Sequence, residues 1–71
     1  MIDVQRLRVF REVARQGSFN RAAAALRLTP SAVSQQISAL ERSLGTSVVC
    51  RSTRGVEITD AGRMLVDAAD T

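Results

Sequence analysis

The chain has 71 residues, ten Arg and no Lys against seven Asp or Glu, and a net charge of +3. One small domain is all that length supports, and 45% hydrophobic residues suffice for a core. With no His and one Cys, a Cys/His zinc site, an internal disulfide and a His-dependent catalytic pair within the chain are excluded.

The first element expected is a helix from Val4 to Arg15, because Leu7, Phe10 and Ala14 recur at spacings of three and four and Val13 widens the stripe. Gly17 suits its C-terminal stop. Ser18 is placed to cap a second helix, Phe19 to Arg27, whose four central alanines favour the helix and let a neighbour approach closely. After a break of only Leu28-Thr29, the third helix has the clearest start signal in the chain. Thr29 caps, Pro30 takes the first helical position and Leu28 can staple onto Val33. Val33, Ile37, Leu40 and Leu44 then form its apolar face, and Gly45 ends it. The other face holds Ser31, Ser34, Gln35 and Ser38, with no charge on that face before Arg42.

Beyond Gly45 the period changes. Val48-Val49-Cys50 and Val56-Glu57-Ile58-Thr59 are β-prone, so a hairpin is expected with Arg51-Ser52-Thr53-Arg54-Gly55 as its tip. Cys50, in an apolar run, is expected to be a buried filler rather than a nucleophile or redox sensor. Thr59 can cap a last helix from Asp60 with the apolar stripe Ala61, Met64, Leu65 and Ala68. That stripe either packs on its own domain or pairs with a second copy.

Charge is unevenly spread. Residues 1–27 carry six Arg against Asp3 and Glu12, residues 28–41 carry only Glu41, residues 42–54 carry three Arg, and residues 55–71 carry Arg63 against four acids. An anionic partner would meet the first three quarters of the chain. An all-Arg, Ala-rich composition is equally what a GC-rich genome writes. The longest strictly apolar run, Ala22 to Leu26, is far short of the ~20 residues of a membrane span. With a lone Cys and no signal peptide, a cytoplasmic location and no membrane association are expected.

Two short helices joined by a tight turn suggest a helix-turn-helix. A helix that enters a major groove buries one side and offers hydrogen-bonding groups on the other; Ser and Gln read base edges, and Gln suits adenine. The same four residues would also make a plain solvated face. Arg51 and Arg54 near a turn suit a phosphate and a minor groove, and equally a soluble loop. A winged helix that docks a protein instead of DNA is the alternative reading, and the two separate by salt, because Arg–phosphate contacts weaken steeply as counterions are added. There is no phosphate-binding Gly loop and no paired carboxylate in an apolar setting, so no enzyme, cofactor or metal is expected.

The blocks Leu7-Arg8-Val9-Phe10, Gly17-Ser18-Phe19-Asn20-Arg21-Ala22-Ala23, Leu28-Thr29-Pro30-Ser31-Ala32-Val33-Ser34-Gln35-Gln36-Ile37-Ser38-Ala39-Leu40-Glu41, Leu44-Gly45, Arg51 and Ile58-Thr59-Asp60-Ala61-Gly62 together resemble the N-terminal DNA-binding domain of LysR-type transcriptional regulators over nearly the whole chain. The resemblance implies a mainly α fold: a winged helix-turn-helix over 1–58, then a linker helix beginning at 59–71 that pairs two subunits. It implies base readout by Pro30, Ser31, Ser34, Gln35 and Arg54, with Arg54 at the minor groove. Ser18, Thr29, Ser38 and Arg51 would meet phosphates. Ala61, Met64, Leu65 and Ala68 would form the dimer contact, and the partner would be double-stranded DNA with a partial dyad. Ala22 and Ala23 would be close-packing positions. Two departures stand out. Val48 and Val49 occupy the place where the family usually has a hydrophobic pair with Phe. The family's larger effector-binding domain, which would take the small-molecule effector, has no counterpart in these residues, and an excised domain is expected.

Overall fold

In the computed structural model, which describes residues 3–69, the chain forms α1 (Val4–Gln16), α2 (Phe19–Leu26), α3 (Pro30–Leu44), β1 (Val49–Ser52), β2 (Gly55–Ile58) and α4 (Asp60–Ala69). The expected division at 1–58 and 59–71 reaches residues 1, 2, 70 and 71, which lie outside the described residues.

Each helix begins on the polar cap its sequence offers. The Gln5 N–H donates to the Asp3 carboxylate (2.8 Å), the Arg21 N–H to Ser18 Oγ (3.2 Å), the Ala32 N–H to Thr29 Oγ1 (3.1 Å) and the Gly62 N–H to Thr59 Oγ1 (3.1 Å). Each bond satisfies one of the first-turn amides that have no partner inside the helix. Helix α2 stops one residue earlier than expected. Arg27 turns left-handed (φ 58), its N–H donates to the Ala24 carbonyl (3.3 Å), and the Leu28 N–H donates to the Ala23 carbonyl (2.8 Å). This is the paired closure of a Schellman turn, made here by an Arg where Gly is usual. It reverses the chain within three residues and sets α3 against α2.

The core consists of Val9, Phe10 and Val13 from α1, Ala22 and Ala23 from α2, Val33, Ile37 and Leu40 from α3, and Val48. Ala22 and Ala23 present only methyl groups, which lets α2 lie close to its neighbours. On α1 the buried stripe centres on Val9, Phe10 and Val13, with Leu7 and Ala14 at its half-buried edges. Leu44 departs from its expected core role. It is 36% exposed, because the apolar stripe of α3 runs one turn further than the core it packs on.

The hairpin is antiparallel, with Val49 opposite Ile58, Cys50 opposite Glu57, Arg51 opposite Val56 and Ser52 opposite Gly55. Both strands lie closer to the tip than expected, with β1 running on to Ser52 and β2 starting at Gly55, so Arg51 belongs to β1 and the tip shrinks to Thr53-Arg54. Alternation along β1 then corrects the reading of Cys50. Val49 turns toward the body, so its neighbour Cys50 turns to solvent and is exposed rather than buried. Ser52 closes the tip: its Oγ accepts the Arg54 N–H (3.2 Å) and donates to the Gly55 carbonyl (3.4 Å).

The hairpin rests on the α1–α2 turn, where the Val56 N–H donates to the Gly17 carbonyl (3.1 Å). Gly55 is required there: its φ is 111°, and a Cβ would lie 2.8 Å from the same carbonyl. At the other end, the Thr59 N–H donates to the Val48 carbonyl (3.0 Å) and the Thr59 hydroxyl to the Ser47 carbonyl (2.7 Å). Gly62 lets α4 approach this point closely. A Cβ on it would collide with the Val48 carbonyl oxygen and crowd the Phe10 ring.

Candidate nucleic-acid interface

The buried residues of α3 fix its orientation. With Val33, Ile37 and Leu40 turned inward, the 3.6-residue period turns Ser31, Gln35 and Ser38 to solvent and leaves Ser34 half-buried at the edge of that face. Among the described residues, none of these four side chains is engaged in a hydrogen bond within the chain. Thr29 and Pro30, both exposed, stand at the start of the same helix, and the Thr29 hydroxyl oxygen is occupied by its capping bond.

Ser31, Ser34 and Pro30 open onto a groove of about 500 Å³ whose other walls are Gly17 to Asn20 at the start of α2 and Arg51, Ser52, Gly55 and Val56 of the hairpin. The first turn of α2 and the first turn of α3 both border it. Helix N-termini carry unpaired N–H groups and the positive end of the helix dipole, so they favour a phosphate. Ser18 lies in the wall with its Oγ accepting from Arg21, which leaves its hydroxyl hydrogen to donate outward.

Arg51 reaches this groove because of its register. It shares the inward side of β1 with Val49, and its guanidinium carbon sits 4.9 Å from the centroid of the Phe19 ring. A cation over an aromatic face is held in orientation while its N–H groups stay free to donate at the edge. The groove therefore brings together Ser18, Pro30, Ser31, Ser34 and Arg51. Gln35 and Ser38 lie further along the exposed face of α3, outside the groove, and Arg54 is exposed at the hairpin tip.

Phe19, Asn20 and Ser52 also line the groove and were not among the site residues expected from the sequence. Phe19 was the most legible of them. It is one of two aromatic residues and directly follows a cap, and strand alternation places Arg51 on the side of the hairpin that meets it.

A larger concavity of about 740 Å³ lies on the other side of β2, between α1 and α4. Arg8, Arg11, Arg15 and Arg63 line it together with Glu12 and Glu57, and the Gln16 amide donates to Glu12 (2.6 Å). Its mixed charge and its distance from the exposed face of α3 make the smaller groove the better nucleic-acid candidate, size notwithstanding. On α4, Met64 (73% exposed) and Ala68 face solvent, whereas Ala61 and Leu65 are half-buried and Leu65 packs on the core. The expected apolar stripe is thus shared between the domain and the outside. Among the described residues no three His, Cys, Asp or Glu are grouped to hold a metal ion, and no helix is long and apolar enough to cross a membrane.

Residues 4–63 match the family described as bacterial regulatory helix-turn-helix protein, lysR family. Among curated relatives, the HTH-type transcriptional activator AmpR of Rhodobacter capsulatus is 51% identical over 59 residues, covering 83% of this chain and 20% of its own. The HTH-type transcriptional regulator BudR of Klebsiella aerogenes is 44% identical over 68 residues, covering 96% and 48%. The chain thus spans between a fifth and a half of the length of these relatives. Among solved structures, the DNA complex of the CbnR DNA-binding domain superposes with a TM-score of 0.90 at 34% identity, covering 96% of this chain and 78% of that one. A LysR-family regulator from Eggerthella lenta superposes at 0.89 with 39% identity over the whole of both chains.

Proposed function

The chain belongs to the bacterial LysR family as a winged helix-turn-helix DNA-binding domain, and from that premise we propose how its residues divide the work of recognition. Helix α3 enters the major groove, with Pro30, Ser31, Ser34 and Gln35 at base edges. Ser18, Thr29, Ser38 and Arg51 meet phosphates and set the register, and Arg54 at the tip of the wing enters the minor groove. One observation carries this reading: the uncharged, hydrogen-bonding face of α3 is turned outward, opposite the buried Val33, Ile37 and Leu40, and its first turn opens onto a groove bordered by two helix N-termini and a stacked guanidinium. The DNA-bound domain to which the fold is similar supports the reading, and nothing favours a protein-docking winged helix instead.

In the proposal, residues 59–71 begin a linker helix. Met64 and Ala68, exposed on α4, add a second copy's stripe to the half-buried Ala61 and Leu65, and the homodimer reads two half-sites related by a partial dyad. The domain would work in the cytoplasm as the reading head of a longer transcriptional regulator whose effector is sensed elsewhere in that protein. The curated relatives are named as regulators, and no enzymatic step is proposed for these residues.

Selection of bound sequences from random duplex DNA tests the proposal. The expected result is an enriched motif with dyad symmetry, and inserting half a helical turn between its halves should weaken binding. Retention that depends on salt but enriches no motif would overturn base readout; a motif that tolerates the insertion would overturn the rigid dimer.

A further inference from the structure

Glu41 is the only charge in residues 28–41, and nothing in the recognition scheme uses it. Its side chain leaves the last turns of α3 and reaches the root of the wing, where one carboxylate oxygen accepts the Val48 N–H at 2.8 Å and the Val49 N–H at 3.4 Å. Val49 opens β1, and Val48 is fully buried. Without that oxygen the Val48 amide would lose its partner in a buried place, a costly arrangement that the charged acceptor instead makes strong. The other ties of the hairpin lead elsewhere: Val56 to the α1–α2 turn, and Ser47 and Val48 to Thr59 before α4. Among the described residues, the side-chain hydrogen bonds that join α3 to the wing are those of Glu41.

We propose that Glu41 is a positioning residue that locks the angle between the recognition helix and the wing, and so delivers Arg54 to DNA while α3 lies in its groove. The inference rests on the minor-groove reading of Arg54. The lever is long enough to matter. Four strand residues at roughly 3.3 Å each carry the tip on the order of 10 Å from its root. A tilt of about ten degrees there shifts the tip by ~2 Å, beyond the tolerance of a hydrogen bond.

The test compares Arg54→Ala, Glu41→Ala, Glu41→Gln and the Glu41→Ala/Arg54→Ala double variant on selected duplexes with A·T-rich or G·C-rich arms. Arg54→Ala should abolish the preference for A·T-rich arms. Glu41→Ala should lose most of that preference, several-fold, while keeping the base selectivity of Gln35. The double variant should be no worse than Arg54→Ala alone, and Glu41→Gln, which keeps a neutral acceptor oxygen, should recover part of the loss. An Arg54→Ala variant that keeps the preference of the unaltered chain for A·T-rich arms defeats the wing reading itself. An Arg54→Ala variant that has lost the preference, beside a Glu41→Ala variant that keeps it or whose loss adds to that of Arg54→Ala, overturns the role of Glu41. Should Glu41→Ala fail to fold, amide exchange in the unaltered chain decides: protected Val48 and Val49 amides are expected, and exchange as fast as an open loop overturns the tie.

Discussion

Among the described residues, eight of the nine buried apolar ones belong to α1, α2 and α3, and the ninth, Val48, stands just before the hairpin. The helical body is therefore held by interdigitated fully buried side chains, whereas the wing rests on the edge of that core through the half-buried Val49, Val56 and Ile58 and on a few discrete hydrogen bonds at Glu41, Gly17 and Thr59. Packing spreads the position of α3 over many contacts, so the recognition helix moves only if the body comes apart. The wing has less packing and leans more on separate bonds, so losing one can re-aim it without unfolding the domain.

The sharpest way to break this contrast is Phe10→Ala. Truncating the largest buried side chain should cost about 3–5 kcal/mol, enough to unfold so small a domain, as chemical denaturation followed by circular dichroism will show. A loss under about 1 kcal/mol would mean that the body does not depend on its packing. Gly62→Ala tests the seam between the two regions. Its methyl group would strike the Val48 carbonyl and press on Phe10, so a loss of about 1–3 kcal/mol of stability is expected, and unchanged denaturation would remove the close approach. Gln35→Ala should leave the denaturation midpoint alone and weaken binding to the selected site by about 1–3 kcal/mol, measured by titration with labelled duplex. Equal weakening on random DNA would contradict base reading. The smallest effect is a gain: Arg27→Gly should stabilise the domain by up to about 1 kcal/mol, since the left-handed conformation strains an L side chain and suits Gly. A lower thermal midpoint would show that the Arg27 side chain contributes more than its backbone strain takes away.

How much of this was legible in the sequence follows the same division. Caps and apolar periods are local signals, so Ser18, Thr29-Pro30 and Thr59 announced their helices and Val33, Ile37 and Leu40 announced the buried side of α3. The polar face of α3 followed from the same period. The hairpin is less legible locally. Val48-Val49-Cys50 is uniformly apolar, and only the pairing with β2 decides that Cys50 faces out and Arg51 faces in. The groove was legible only in halves, because Phe19 and Arg51 are 32 positions apart in sequence and meet only when the hairpin settles on the α1–α2 turn. Leu44 kept the helical period of its face, but the period does not say how far the partner surface extends. Glu41 carries no local signal of its role, because its amide partners lie seven and eight residues away and meet it only when the wing root folds back on α3.

The Ser52 hydroxyl holds the two-residue tip closed from within, bound to the amide of Arg54 and the carbonyl of Gly55. The fingertip is therefore already shaped before any duplex arrives. In the proposed complex, docking has only the torsions of one guanidinium arm to freeze, at about 0.5–1.5 kcal/mol, instead of ordering a floppy loop, and more of the attraction between Arg54 and the nucleic acid would survive as affinity.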